Sequence, residues 1–243
     1  MTHLLPKVTL SGLSTKKGES HLPKPYKLRN FYLPSEVEVH NTSYDCWVSL
    51  FGKVYDLTRL IQENLDIEEN APLCKPIIEA AGRDVSHWFD ASTGEPKTYI
   101  DPKTNLRTVY CPWGRYLHIP PTEPIVWDSS FVTPWWKNKK FVIGSLSKKT
   151  RKLRVINMLT KDDDILEVAS EENINEILDR YSELNLHAAS YTWKRIGRPL
   201  DMERTLEENG IPDESDEYER LGIDGDAYIP AVHLYFNDDL TMA

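Results

Sequence analysis

Long hydrophobic runs, paired cysteines and an excess of positive charge are all missing from this 243-residue chain. No window approaches the roughly 20 apolar residues that span a bilayer, and the N-terminus has no signal-peptide apolar core, so a non-membrane, unsecreted protein is expected. The three cysteines, Cys46, Cys74 and Cys111, are odd in number and far apart. They make no disulfide framework and have no metal-site spacing, which points to a reducing, cytoplasmic compartment. The net charge of −9 argues against general nucleic-acid binding, because phosphate contacts need a basic face. A glycine-rich phosphate loop, a nucleophile elbow and a metal-binding helix motif are also missing, and no enzyme is expected.

Hydrophobic residues make up 40% of the chain and charged residues 28%, with seven Trp and twelve Tyr. That is enough apolar material for real cores, and the length suits two modest domains or one large one. The charge is unevenly spread. Lys148, Lys149, Arg151, Lys152 and Arg154 fall within seven residues, whereas Asp201 to Asp226 holds eleven acids against Arg204 and Arg220. Such runs are solvated faces or docking surfaces.

Residues 1–29, with Pro6, Pro23 and Pro25 and neither helical nor strand periodicity, read as an extended arm. Pro34, Ser35 and Glu36 open a short helix. Cys46 to Leu50 and Lys53 to Leu57 read as a hairpin turned at Phe51-Gly52. Thr58 caps a helix over Arg59 to Glu63, and a second runs from Pro76 to Gly82. Between residues 91 and 140, prolines alternate with Trp113, Tyr116, Trp127, Trp135 and Trp136. Long helices are forbidden there, yet so many large aromatics predict an ordered segment. After a short strand at Lys140 to Gly144 come strands at Lys152 to Leu159 and Ile165 to Val168, then a helix capped by Ser170 with Ile174, Ile177, Leu178 and Tyr181 on one face. Strands at Tyr191 to Ile196 and Ala231 to Phe236 complete an α+β order, and the acidic stretch Asp213 to Asp226 is expected as a surface loop.

Two resemblances rest on these residues. Phe31 to Val37, Asn41, Trp47-Val48, Gly52 to Thr58, Ala81 to Asp84 and Phe141 to Gly144 together resemble the cytochrome b5 domain over residues 30–148, with 91–140 as an insertion. Ile165 to Val168, the helix after it, Gly197 to Leu200 and Thr205 to Ile211 resemble the ubiquitin-like β-grasp fold over 151–238. The ending, Asp238 to Ala243, carries no Gly-Gly, so no ubiquitin-type conjugation is expected. The domain order, together with Asp84 to Asp90, Pro134 to Trp136, His187 to Trp193 and Leu234 to Leu240, resembles a family of ciliary proteins that pairs these domains. That resemblance implies a non-catalytic component of the axoneme whose partners are radial spoke proteins.

The cytochrome b5 resemblance also implies haem, held between two histidines. The first opens a His-Pro-Gly-Gly turn in the family, and counting from Thr58 places it at Asn64, followed by Leu65-Asp66-Ile67. The second falls near Gly94. Neither position holds a histidine. His87, beside Trp88 and Phe89, is the axial-ligand candidate, and its alternative is a hydrogen-bonded surface imidazole. Cys74 is a weaker candidate for the opposite side, with Tyr55 and His118 conceivable as core or structural residues. Any haem bound this way is expected to be weakly held and sensitive to redox state.

Overall fold

A computed structural model describes residues 23–121, 129–225 and 227–236. In chain order the elements are β1 (Phe31–Tyr32), α1 (Pro34–Val39), β2 (Asn41–Thr42), β3 (Asp45–Leu50), β4 (Lys53–Asp56), α2 (Thr58–Leu65) and α3 (Ala71–Glu79). There follow β5 (Thr98–Ile100), β6 (Arg107–Val109), β7 (Val142–Leu146), β8 (Thr150–Asn157), β9 (Asp163–Ala169), α4 (Ile174–Tyr181), β10 (Tyr191–Arg195), β11 (Arg198–Pro199), α5 (Ser215–Leu221) and β12 (Ala231–Phe236). The chain divides into two compact units. One holds Ser35–Ile143 with the described residues up to Leu28, and the other holds Arg29–Pro34 with the described residues from Gly144 onward. The change of unit between Ile143 and Gly144 falls inside β7.

In the first unit β2, β3 and β4 form an antiparallel meander, with Val48 opposite Tyr55 and Asn41 opposite Cys46. Every residue of β3 is buried, so this strand has no solvent face and its polar members must find partners inside. Asp45 receives the ring nitrogen of His40 at 2.7 Å and the backbone N–H of Lys24 at 2.8 Å. Ser49 donates to Asp84. Two expectations shift here. Thr58 is the first residue of α2 rather than its cap: its N–H donates to Asp56 and its hydroxyl accepts from the Cys46 N–H. Helix α3 begins at Ala71, placing Pro76 inside it. The missing N–H costs an intrahelical bond, but burial of Pro76, Ile77 and Ile78 in the core holds the helix together. After α3 the chain turns at Gly82, whose φ is +78° and where an added Cβ would lie 2.9 Å from the Glu38 carbonyl oxygen, which leaves no room for a side chain.

The second unit is a five-stranded mixed sheet in the order β11-β10-β12-β8-β9, with β12 parallel to β8 and the other pairs antiparallel. Its core gathers Leu153, Val155, Val168, Ile174, Ile177, Tyr181, Trp193, Val232 and Leu234. The apolar stripe of α4 faces this core as its spacing requires. The cap of α4 is Asn173, not Ser170. Its side chain accepts from Glu176 N–H while the Glu176 carboxylate accepts from Asn173 N–H, a reciprocal box that satisfies two helix-end donors. The acidic stretch is not a plain loop. It contains α5, which buries no residue and ends at left-handed Gly222. The parallel pair β1 and β7 joins Phe31 to Ser145.

Among the described residues no helix is long and apolar enough to cross a membrane. Residues 1–22 of the expected arm, Trp127 in the insertion, Asp226 and the ending from Asn237 lie outside the described residues. The described end of the arm lies against the first unit: the Tyr26 ring meets Trp47 edge-on at 4.5 Å and its hydroxyl donates to Asp56.

Candidate functional site

The site implied by the cytochrome b5 resemblance would be built on α2 and α3. Asn64 sits in the last turn of α2, half-buried, and both ends of its amide are engaged. The nitrogen donates to the Leu60 carbonyl at 2.9 Å, and the oxygen accepts from the Asn70 side chain at 2.8 Å. The side chain therefore ties off the end of α2 and starts the link to α3, the structural work a family turn would do, without offering an iron ligand.

Cys74 lies on α3, fully buried in the hydrophobic cluster. Burial pushes its thiol up to about 12, so at neutral pH it is the neutral thiol, not the thiolate that coordinates metals. His87 occupies a short 3-10 turn, Ser86–Trp88, with its side chain exposed. It is outside the buried cluster to which Cys74 and its neighbour Trp88 belong. Tyr55 is buried and donates to the Trp136 carbonyl, and burial raises its pKa. His118 accepts the Trp135 N–H at 2.9 Å through Nδ1 and stacks on Phe131. Among the described residues no group of three or more His, Cys, Asp or Glu is placed to hold a metal ion.

Rings occupy the space beside these helices. Ile61 of α2 and Cys74 and Ile77 of α3 share one buried cluster with Trp88, Phe89, Tyr116, Trp135 and Trp136. Trp88 and Tyr116 are 5.0 Å apart between centroids, Phe89 and Trp135 5.8 Å, and Trp135 and Trp136 5.6 Å. Tyr116 and both tryptophans come from the proline-rich insertion, and the segment carrying Gly114 reaches Pro76 of α3. A planar cofactor between two imidazoles needs an open slot and two free ring nitrogens. The residues here supply an engaged amide, a neutral buried thiol and an exposed imidazole, and they do not fit a haem held from both sides. The sequence reading missed the part taken by Tyr116 and Trp135. The density of large aromatics among the prolines was the available signal, although Trp113 in the same run is 51% exposed.

In the second unit several of the charged residues meet partners inside the chain. Lys149 forms ion pairs with Asp213 and Asp216 at 2.8 and 2.7 Å, and Arg154 pairs with Asp163. The Arg151 guanidinium is buried and donates to the Ile211 and Pro212 carbonyls. Part of the basic run is thus neutralised within the chain. Deeper in the unit, buried Arg180 and Glu172 form an ion pair at 2.7 Å.

A model of the cytochrome b5-like Heme/Steroid binding domain family matches residues 34–147. The chain is 54% identical over 212 residues to "Cytochrome b5 domain-containing protein 1" of Xenopus tropicalis, covering 87% of this chain and 96% of that protein. It is 49% identical over 217 residues to the Homo sapiens protein of the same name, covering 89% and 93%. Similarity to "Cytochrome b5" of Sus scrofa is 28% over 121 residues, half of this chain and 84% of that protein. With a cytochrome b5-like domain over 34–147, a mixed-sheet domain after it and nearly full-length similarity to these relatives, the chain belongs to the cytochrome b5 domain-containing protein 1 family.

Proposed function

We propose that the chain is a non-catalytic docking component of the ciliary axoneme, seated at the radial spokes, and that its cytochrome b5-like domain serves as a scaffold. The observation that carries the reading is the buried ring cluster on α2 and α3, where the domain's own insertion fills the core beside the positions a cofactor would use. The axonemal setting comes from the family resemblance carried by the sequence. The haem-binding alternative, a redox-sensing module built on His87 and Cys74, draws no support from an exposed imidazole and a neutral buried thiol.

The second unit is read as ubiquitin-like. Counted within the unit, its sheet runs second, first, fifth, third and fourth strand, with the first and last strands parallel at the centre and α4 following the first hairpin. This strand order supports the β-grasp reading that the resemblance implies.

Tagged protein in isolated, detergent-extracted axonemes tests the function. The reading expects it to stay with the axoneme and to lie against spoke subunits in an axonemal density map. Complete release into the soluble fraction, with no density at the spokes, would overturn it.

A further inference from the structure

The second unit has a half-open pocket of about 370 Å³ beside the start of β8 and the end of β10, with a wall from the segment Pro212 to Tyr218. This size falls within the range of small-ligand sites. Two arginines line it, Arg151 from β8 and Arg195 at the end of β10.

Neither guanidinium is balanced by a hydrogen-bonded carboxylate among the described residues. Arg151 donates through Nη2 to two backbone carbonyls, Ile211 at 3.0 Å and Pro212 at 2.7 Å, which orient the group and leave its charge in place. Arg195 carries an Nη1 that is buried and has no hydrogen-bond partner among the described residues. The two cations are near enough to repel. Burial works first to lower the pKa of Arg151, and the charge of Arg195 adds to that, against the pull of Asp213 and Glu207. The acids on the pocket wall are engaged elsewhere. Asp213 pairs with Lys149 at 2.8 Å and accepts the Ser215 hydroxyl at 2.7 Å, while Glu214 accepts the Tyr218 hydroxyl at 2.7 Å.

A buried N–H without an acceptor costs free energy in the folded state, and such groups in native proteins call for an explanation. Two like charges sharing a pocket add to that cost. An oxyanion in the pocket would offset the repulsion between the two cations, because the planar guanidinium fork matches a carboxylate or phosphoryl group with paired charge-assisted hydrogen bonds. We propose that this pocket is an oxyanion-binding site in which Arg195 and Arg151 receive a phosphoryl or carboxylate group. Tyr228 and Pro230 form an adjoining wall against which the carrier of that group would pack. The proposal stands apart from the docking reading and from any question of haem.

Titration calorimetry on the full chain at low ionic strength tests it with three probes: inorganic phosphate, a phosphoserine peptide, and the same peptide with glutamate at that position. Binding of at least one probe should be saturable and should shift the Arg195 Nε–Hε resonance. Arg195→Gln should weaken it by roughly ten- to hundredfold, the value of one or two charge-assisted hydrogen bonds. Arg204→Gln, at an exposed arginine paired with Asp201 outside the pocket, makes the same change in net charge and should leave binding unchanged. The probe that binds identifies the group. If Arg195→Gln fails to fold by circular dichroism, Arg195→Lys keeps the charge without the fork and should still bind more weakly. No saturable binding of any probe, binding retained when the fork is removed, or an equal loss in Arg204→Gln would each overturn the proposal.

Discussion

Truncating Trp135 to alanine should destabilise the cytochrome b5-like domain more than a change at any other tryptophan of the insertion tested beside it. The side chain is fully buried and its ring meets those of Tyr55 at 6.2 Å, Phe89 at 5.8 Å, Tyr116 at 6.3 Å and Trp136 at 5.6 Å. A buried aromatic removes about 150–250 Å² from water, or about 4–6 kcal/mol at ~25 cal/mol per Å², and extended-chain areas make that an upper bound. Measured Trp→Ala losses in cores run at about 3–5 kcal/mol. One term acts the other way: the Trp135 indole N–H has no hydrogen-bond partner among the described residues, so its removal relieves about 1 kcal/mol. The net expectation is about 3 kcal/mol, or a Tm lower by roughly 10 °C for a domain of this size. Thermal unfolding of the full chain, followed by near-ultraviolet circular dichroism, reads it. Trp113→Ala, at a half-exposed ring in the same segment, should change stability by no more than about 0.5 kcal/mol. A loss below about 1 kcal/mol at Trp135, or equal losses at both positions, would refute the claim that the insertion's rings form the core.

Gly144→Ala should cost about 1–3 kcal/mol, because the added methyl carbon would lie 2.7 Å from the Arg29 carbonyl and from the Tyr32 ring; an unchanged urea midpoint would count against that packing. Burial works to raise the Asp213 carboxyl, but hydrogen bonds from Lys149 and Ser215 overcome it and hold the group at about 2. Its folded value lies below the unfolded one, so its stabilisation is present above about pH 4 and is lost as pH falls toward 2. Asp213→Asn should therefore flatten the acid limb of the second unit's stability curve, by no more than about 1 kcal/mol after screening, and an unaltered limb would contradict the Lys149 pairing. Cys74 should resist alkylation at neutral pH until the protein unfolds, since burial pushes its thiol up to about 12; rapid labelling of the native chain would show an open site.

Local chemistry made much of this fold readable. The β3–β4 hairpin follows from a tight Phe51-Gly52 turn between apolar runs, and β12 alternates in burial from Ala231 to Leu234 before Tyr235 and Phe236, which are both exposed. The errors came where one local signal competed with another. Ser170 and Asn173 are both capping residues, and only the Glu three places after Asn173 completes a reciprocal box. The acids around Asp213 suggested self-repulsion, yet acids at the start of α5 suit the helix dipole and Lys149 offsets two of them. The absence of histidine at Asn64 was plain in the sequence. What takes the place of the missing ligand was not, because the rings that meet α2 and α3 come from far along the chain and their burial depends on the whole core. The meeting of Arg151 and Arg195 was hidden for the same reason, being set by the sheet order.

A haem titration of the purified full chain, followed by absorbance, tests the closed-core account most directly. The account predicts no saturable Soret shift at equimolar haem and the same flat response for His87→Ala and Asn64→Ala. A saturable equimolar haem spectrum that disappears in His87→Ala and persists in Asn64→Ala would contradict it.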